Sequence, residues 1–141
     1  MRIRCVSGGR QIESSTRAGA GGNLANSTVP QKEMSVFYEL RQYRTKPGQR
    51  ENWVRYMEEV IIPFQTAQGM TVCGSFTGQE EDDLFVWMRR FQDEADRERL
   101  YAAVYDSDHW KNVIAPKIPE MNDRERMKVS RIEPTQKSAM R

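Results

Sequence analysis

The stretch Val36-Phe37-Tyr38-Glu39-Leu40-Arg41-Gln42-Tyr43, followed by Thr45-Lys46-Pro47-Gly48, decides the fold. β-branched and aromatic side chains dominate its first part, which predicts a strand. The Pro-Gly pair then marks the turn that leaves it. A helix is expected next, because Trp53, Met57, Val60, Ile61 and Phe64 recur at i, i+4, i+7, i+8 and i+11. Glu51, Asn52, Arg55 and Glu58 fall largely on its other side. Pro63 should disturb its last turns, and Gly69 is a natural stop.

Further along, Met70 to Gly78 and Leu84 to Phe91 read as second and third strands. The run Gly78-Gln79-Glu80-Glu81-Asp82-Asp83 joins them as a polar, acidic hairpin loop. It lacks the alternation and glycine of a calcium loop, so a solvated turn is expected. Asp93 is a good N-cap for a second helix carrying Ala95, Leu100, Ala103 and Val104. A short helical segment from His109 to Ala115 is broken by Pro116 and Pro119, and Met127 to Ile132 is the last strand. The order is strand, helix, strand, strand, helix, extra helical segment, strand. That is the split βαβ arrangement of an α+β domain with a four-stranded antiparallel sheet.

This domain spans residues 34–134. Residues 1–33 are rich in Gly, Ser, Asn and Arg and offer too little apolar surface to offset the entropy of ordering, so a disordered extension is expected. Arg2, Arg4, Arg10 and Arg17 among serines also resemble a weak organelle transit peptide, while a start at Met34 is the plainer alternative. Residues 135–141 are expected to form a flexible tail.

The third strand does not alternate apolar with polar. Leu84, Val86 and Met88 face one way, and Phe85, Trp87 and Phe91 the other. Two helices cover one face of such a sheet, so three large aromatics are expected on the uncovered face. A patch of that kind marks an interface. Burying ~600 Å² of it would contribute on the order of 15 kcal/mol before the costs of association. A homodimer joined through the open sheet face is the simplest solution.

Composition excludes several classes. The net charge of +2 comes from 22 basic and 20 acidic side chains, with no basic stripe of the kind that binds nucleic acid. No apolar run approaches the length of a membrane span. Cys5 and Cys73 are far apart, and His109 is the sole histidine, so neither a metal site nor another cofactor is expected. No nucleotide-binding or serine-hydrolase signature is present.

Tyr38-Glu39-Leu40-Arg41-Gln42-Tyr43 with Lys46-Pro47-Gly48 resembles the opening motif of the NIPSNAP family. Gly74 in the second strand, Val86-Trp87 in the third and Asp108-His109-Trp110 are similar to that family too. The resemblance covers roughly residues 36–134 and implies the ferredoxin-like fold of the dimeric α/β-barrel superfamily. That superfamily contains cofactor-free monooxygenases, haem-degrading enzymes, isomerases and members without a known reaction. The resemblance therefore implies a fold and leaves the reaction open. A cytoplasmic location is expected, or a mitochondrial one if residues 1–33 act as a transit peptide.

His109 is the default acid–base candidate, because its unperturbed pKa lies near neutrality; the alternative is a surface or capping histidine. Glu39 and Arg41, two apart on a strand, share a face. They form either an ion pair at the dimer interface or a site in which Arg41 anchors a carboxylate or enolate. Tyr38, Trp87, Tyr101 and Trp110 either line a flat ligand cavity or fill the core. One of Arg89 and Arg90 should face solvent, and the other should reach Glu39 or the acidic loop. Cys73 reads as a buried, inert thiol. Two functions follow: a domain binding a small hydrophobic or aromatic molecule between sheet and helices, with cofactor-free oxygenase or isomerase chemistry in which His109 transfers the proton and Arg41 or Arg89 stabilises negative charge on the ligand, or a non-enzymatic homodimeric scaffold.

Overall fold

Four antiparallel strands, in the spatial order β2-β3-β1-β4, form one sheet in the computed structural model, which describes residues 35–141. The expectations for residues 1–33 lie outside the described residues. The strands are β1 (Phe37–Thr45), β2 (Thr71–Thr77), β3 (Leu84–Phe91) and β4 (Asn122–Ile132). β3 lies between β1 and β2, which gives the expected split βαβ topology and the α+β class.

The turn into the first helix is set by sequence. Gln49 N–H donates to Lys46 C=O at 3.0 Å, with Pro47 and Gly48 (φ 73°) at the two central positions, as in a type II turn. The helix then runs through Arg50–Tyr56, widens to π-helix over Met57–Ile61 and returns to α-helix over Ile62–Ala67. The disturbance expected at Pro63 takes this form: proline has no N–H to donate and crowds the preceding carbonyls, so the ladder is released just upstream. Pro116 repeats the pattern, with a π-helical Trp110–Ile114 ahead of a 3₁₀ turn, Ala115–Lys117, and a last turn, Ile118–Met121. Gly69 (φ 98°) stops the first helix: Gly69 N–H bonds to Thr66 C=O and Met70 N–H to Gln65 C=O, both at 3.0 Å, a Schellman closure. The second helix, Glu94–Tyr105, is capped by Asp93, whose carboxylate accepts from Asp96 N–H at 2.8 Å.

All helices cover one face. Register puts Phe37 opposite Phe91, Glu39 opposite Arg89, Arg41 opposite Trp87 and Tyr43 opposite Phe85. These side chains lie under the helices, where Phe37, Tyr43, Phe85, Trp87 and Phe91 are buried with Trp53, Met57, Ile61, Leu100, Val104 and Ile114. The three aromatics expected on the uncovered face are thus on the covered one. The reason is area: of the two apolar sets in β3 the aromatic one buries more surface, and its β1 partners are aromatic as well. The open face carries the aliphatic set instead, Leu40, Leu84, Val86 and Met88, with Phe76 at 58% exposure and Ile132 at 39%.

β4 starts earlier than expected, at Asn122, because an edge strand facing water needs no apolar alternation. It also carries a large bulge: Gln42 pairs with Lys128 but Arg44 with Asp123, so residues 124–127 answer the single residue Tyr43. The acidic loop is more than a solvated turn. Asp83 bonds to Arg44 and Arg126 (both 2.8 Å), Glu81 pairs with Arg44 (2.5 Å), and Arg50 reaches Gly78 C=O (2.8 Å). No helix among the described residues is long and apolar enough to cross a membrane.

Candidate functional site

Between sheet and helices lies a cavity of about 420 Å³, within the range of roughly 300–1,000 Å³ usual for small-molecule sites. Arg41, Tyr43 and Trp87 rise from the sheet. Met57, Ile61 and Gln65 come from the first helix, Tyr101 and Tyr105 from the second, and Trp110 and Ile118 from the third helical stretch. The β4 bulge brings Arg124 and Met127 to the same space. Both π-helical turns contribute to the wall, through Met57, Ile61 and Trp110. Tyr56 ties these two stretches together, its hydroxyl donating to Ile114 C=O at 3.0 Å.

A polar cluster forms one side. Arg89, with no exposed surface, makes four hydrogen bonds through its two terminal nitrogens. They go to Gln65 Oε1 (3.0 Å), Tyr105 Oη (2.7 Å), Glu39 Oε2 (2.5 Å) and Tyr101 Oη (2.8 Å). Arg41 shares Glu39 Oε2 at 3.1 Å, bonds Tyr43 Oη at 2.7 Å and reaches Tyr101 Oη at 3.3 Å. Tyr101 completes the cluster by donating to Glu39 Oε1 at 2.7 Å. One carboxylate is therefore held between two guanidiniums and a phenol.

Burial by itself would raise the Glu39 pKa, but Arg89, Tyr101 and Arg41 outweigh it and hold the carboxyl below its ordinary range. Burial would likewise lower Arg41, and the neighbouring oxygens of Tyr43, Tyr105 and Tyr101 reverse that, so the guanidinium stays charged. Burial raises Tyr101, which keeps its phenol protonated at neutral pH. The Arg89 guanidinium lies 5.1 Å from the Trp87 ring and 5.0 Å from that of Tyr101, distances at which a cation is attracted to a π face.

Of the residues singled out from sequence, Arg41, Trp87, Tyr101 and Trp110 line the cavity, and Arg89 lies behind it in the polar cluster. Glu39 and Arg41 do share a face and do pair, under the helices rather than on the open side. Tyr38 is on the opposite face of the sheet, because it is one position out of phase with Glu39. There it shares a smaller cavity with Met88, Ile132 and tail residues Pro134 to Met140. His109 is exposed, with its ring 5.1 Å from Phe64, and is not among the cavity's lining residues, whereas its neighbour Trp110 is. Arg90 turns to the open face. Cys73 is half-buried at a bulge in β2, and burial raises its thiol pKa.

Sequence reasoning missed Gln65, Tyr105, Tyr43 and Arg124. Tyr105 was within reach, one helical turn beyond Tyr101 on the same side. Gln65 looks like any polar residue near a helix end, and nothing in Asn122-Asp123-Arg124-Glu125-Arg126 announces a bulge.

The fold has close counterparts. A structure of a NIPSNAP family protein of unknown function from Agrobacterium tumefaciens matches with a TM-score of 0.68 and 22% identity, over 77% of this chain and 96% of that one. An uncharacterised NIPSNAP-like domain protein from Burkholderia xenovorans matches with a TM-score of 0.67 and 20% identity, over 74% and 90%. At these identities the likeness is one of fold, and it carries the ferredoxin-like architecture. No curated protein matches the chain. The NIPSNAP family model matches residues 38–138, a span that takes in all four strands but for Phe37 at the start of β1, both Arg41 and Arg89, and the whole cavity wall, and so the chain belongs to the NIPSNAP family.

Proposed function

We propose that this domain binds a small hydrophobic or aromatic molecule in the cavity between sheet and helices, and that it does so as a homodimer joined through the open sheet face. The observation that carries the reading is the wall itself: mostly aromatic and aliphatic side chains surround about 420 Å³, with a buried polar cluster on one side and Arg124 of the β4 bulge as the further charged group. A largely apolar wall with a few convergent polar groups is how ligand sites are built. Leu40, Val86, Met88 and the exposed Phe76 favour the interface.

The reading is one of binding rather than turnover. Oxygenase or isomerase chemistry without a cofactor needs a base beside the ligand. Glu39 is engaged by Arg89, Arg41 and Tyr101, and His109 stands outside the wall. Arg41 keeps a place as the group that would hold negative charge on the ligand. The rival reading, a scaffold that only assembles, rests on the same open face.

Native mass spectrometry of the full chain tests this. The expected spectrum is a dimer carrying a small bound mass that the cavity-filling Ile61→Trp variant loses. A monomer would remove the interface, and a bound mass that survives Ile61→Trp would place the ligand elsewhere.

A further inference from the structure

Resting on that binding site, we infer that its ligand is an anion: a hydrophobic or aromatic acid whose carboxylate is held at the Arg41 side of the cavity. Two independent counts on the cavity wall lead there.

The first count is charge. Arg41, Arg89 and Arg124 bring three guanidiniums to the site, and Glu39 is the one carboxylate of the cluster. Glu39 is shared by Arg41 and Arg89 through the same oxygen, so at least one buried positive charge is left over. Among the described residues Arg124 has no carboxylate within ion-pair distance. Arg124 is exposed and solvated, so the cost falls on the surplus charge at Arg41 and Arg89; uncompensated charge in a buried site is costly, and a bound anion removes that cost.

The second count is hydrogen bonds. Gln65 spends its carbonyl on Arg89, which leaves its amide nitrogen unpartnered and buried. The indole nitrogens of Trp53 and Trp87, both lining residues, are likewise buried without a partner. Tyr43 and Tyr105 each accept from an arginine through the hydroxyl oxygen, and their protons are not spent on any described residue. Every unspent group here is a donor. The three nitrogens have no accessible surface and lie behind the wall, so they only make its surroundings electropositive; that agrees with a ligand that accepts, and a carboxylate accepts most while donating nothing. Water can satisfy single donors, but it cannot cancel the surplus charge.

Tyr101 plays a different part. Its hydroxyl donates to Glu39 and accepts from both arginines, so it is fully used in fixing the guanidiniums and is a positioning residue.

Isothermal titration of the full chain with matched probes reads this out: 2-naphthoate against 2-naphthamide, and cinnamate against cinnamamide. The acids should bind at least about tenfold more tightly than their amides. Arg41→Met should weaken the acids by about ten- to a hundredfold, the loss of a charged hydrogen bond, and the amides by a clearly smaller factor, so that the preference for acid over amide collapses. Arg124→Ala, at an exposed position, should weaken the acids alone by a smaller factor. Equal affinity for acid and amide would overturn the inference while leaving the binding site standing. Failure of both acids and amides to bind would overturn the binding site and this inference with it.

Discussion

Arg89 is the residue on which the polar cluster turns. Its planar fork reaches four acceptors at once, and a lysine at that position could reach at most three from a single point. Arg89→Met should therefore strip Gln65, Tyr105, Tyr101 and Glu39 of a buried charged donor at once, with Arg41 alone left to balance the carboxylate, and destabilise the fold by about 3–5 kcal/mol, measured by urea unfolding. Arg89→Lys should recover only part of that loss. Glu39 makes a pH prediction. Its folded-state pKa lies below the unfolded value, so its contribution is complete above the ordinary carboxylate range and is lost as pH falls through the lowered value. The stability gap between the native chain and Glu39→Gln should stay level from neutrality down to about pH 4–5 and shrink below it; a gap that stays constant through that acid range would show that Glu39 is not ionised in the folded state. At this scale the sequence was partly legible. Strand periodicity was enough to put Glu39 and Arg41 on one face, but the bond from Arg89 to Gln65 joins residues 24 apart in sequence and no local pattern encodes it.

Elements were more legible than contacts, because each carries its own local signals. Asp93, Pro47-Gly48 and Gly69 mark three ends, and all three do what their chemistry predicts. Gly69→Ala is the sharp test. Its φ of 98° is a conformation that L side chains resist, and a Cβ there would also meet Leu100 at 3.4 Å. A loss of about 1–2 kcal/mol is expected by thermal or urea unfolding, with no change in the open sheet face. The two π-helical turns were not legible as such. Proline announces that a helix must adjust, but whether it bends or widens depends on what packs beside it, and here Met57, Ile61 and Trp110 pack around a cavity. The β4 bulge was hidden for a related reason: an exposed edge strand is free to be polar throughout, so its sequence carries no period to interrupt.

For the whole molecule, topology followed from element order, but the assignment of sheet faces did not. β3 is apolar on both sides, so pattern alone cannot say which side the helices take, and side-chain area decides it. The argument for a dimer survives the exchange in changed form, since the open face now offers Leu40, Val86, Met88 and Phe76 instead of three aromatics. Val86 sits mid-face, opposite Phe76 on one side and Gln42 on the other. Val86→Glu should convert the proposed dimer to a monomer in sedimentation equilibrium and leave the proposed ligand binding in place, because the two surfaces lie on opposite sides of the sheet. A dimer unaffected by this change would mean that the open face is not the interface.

Trp53, Trp87 and Trp110 are all the tryptophans the chain has, and all three line the cavity between sheet and helices. Its ultraviolet emission therefore comes from a single place rather than from an average over the molecule. Whatever enters must change the polarity or the quenching around every emitter at once, and the protein so carries its own optical gauge of occupancy.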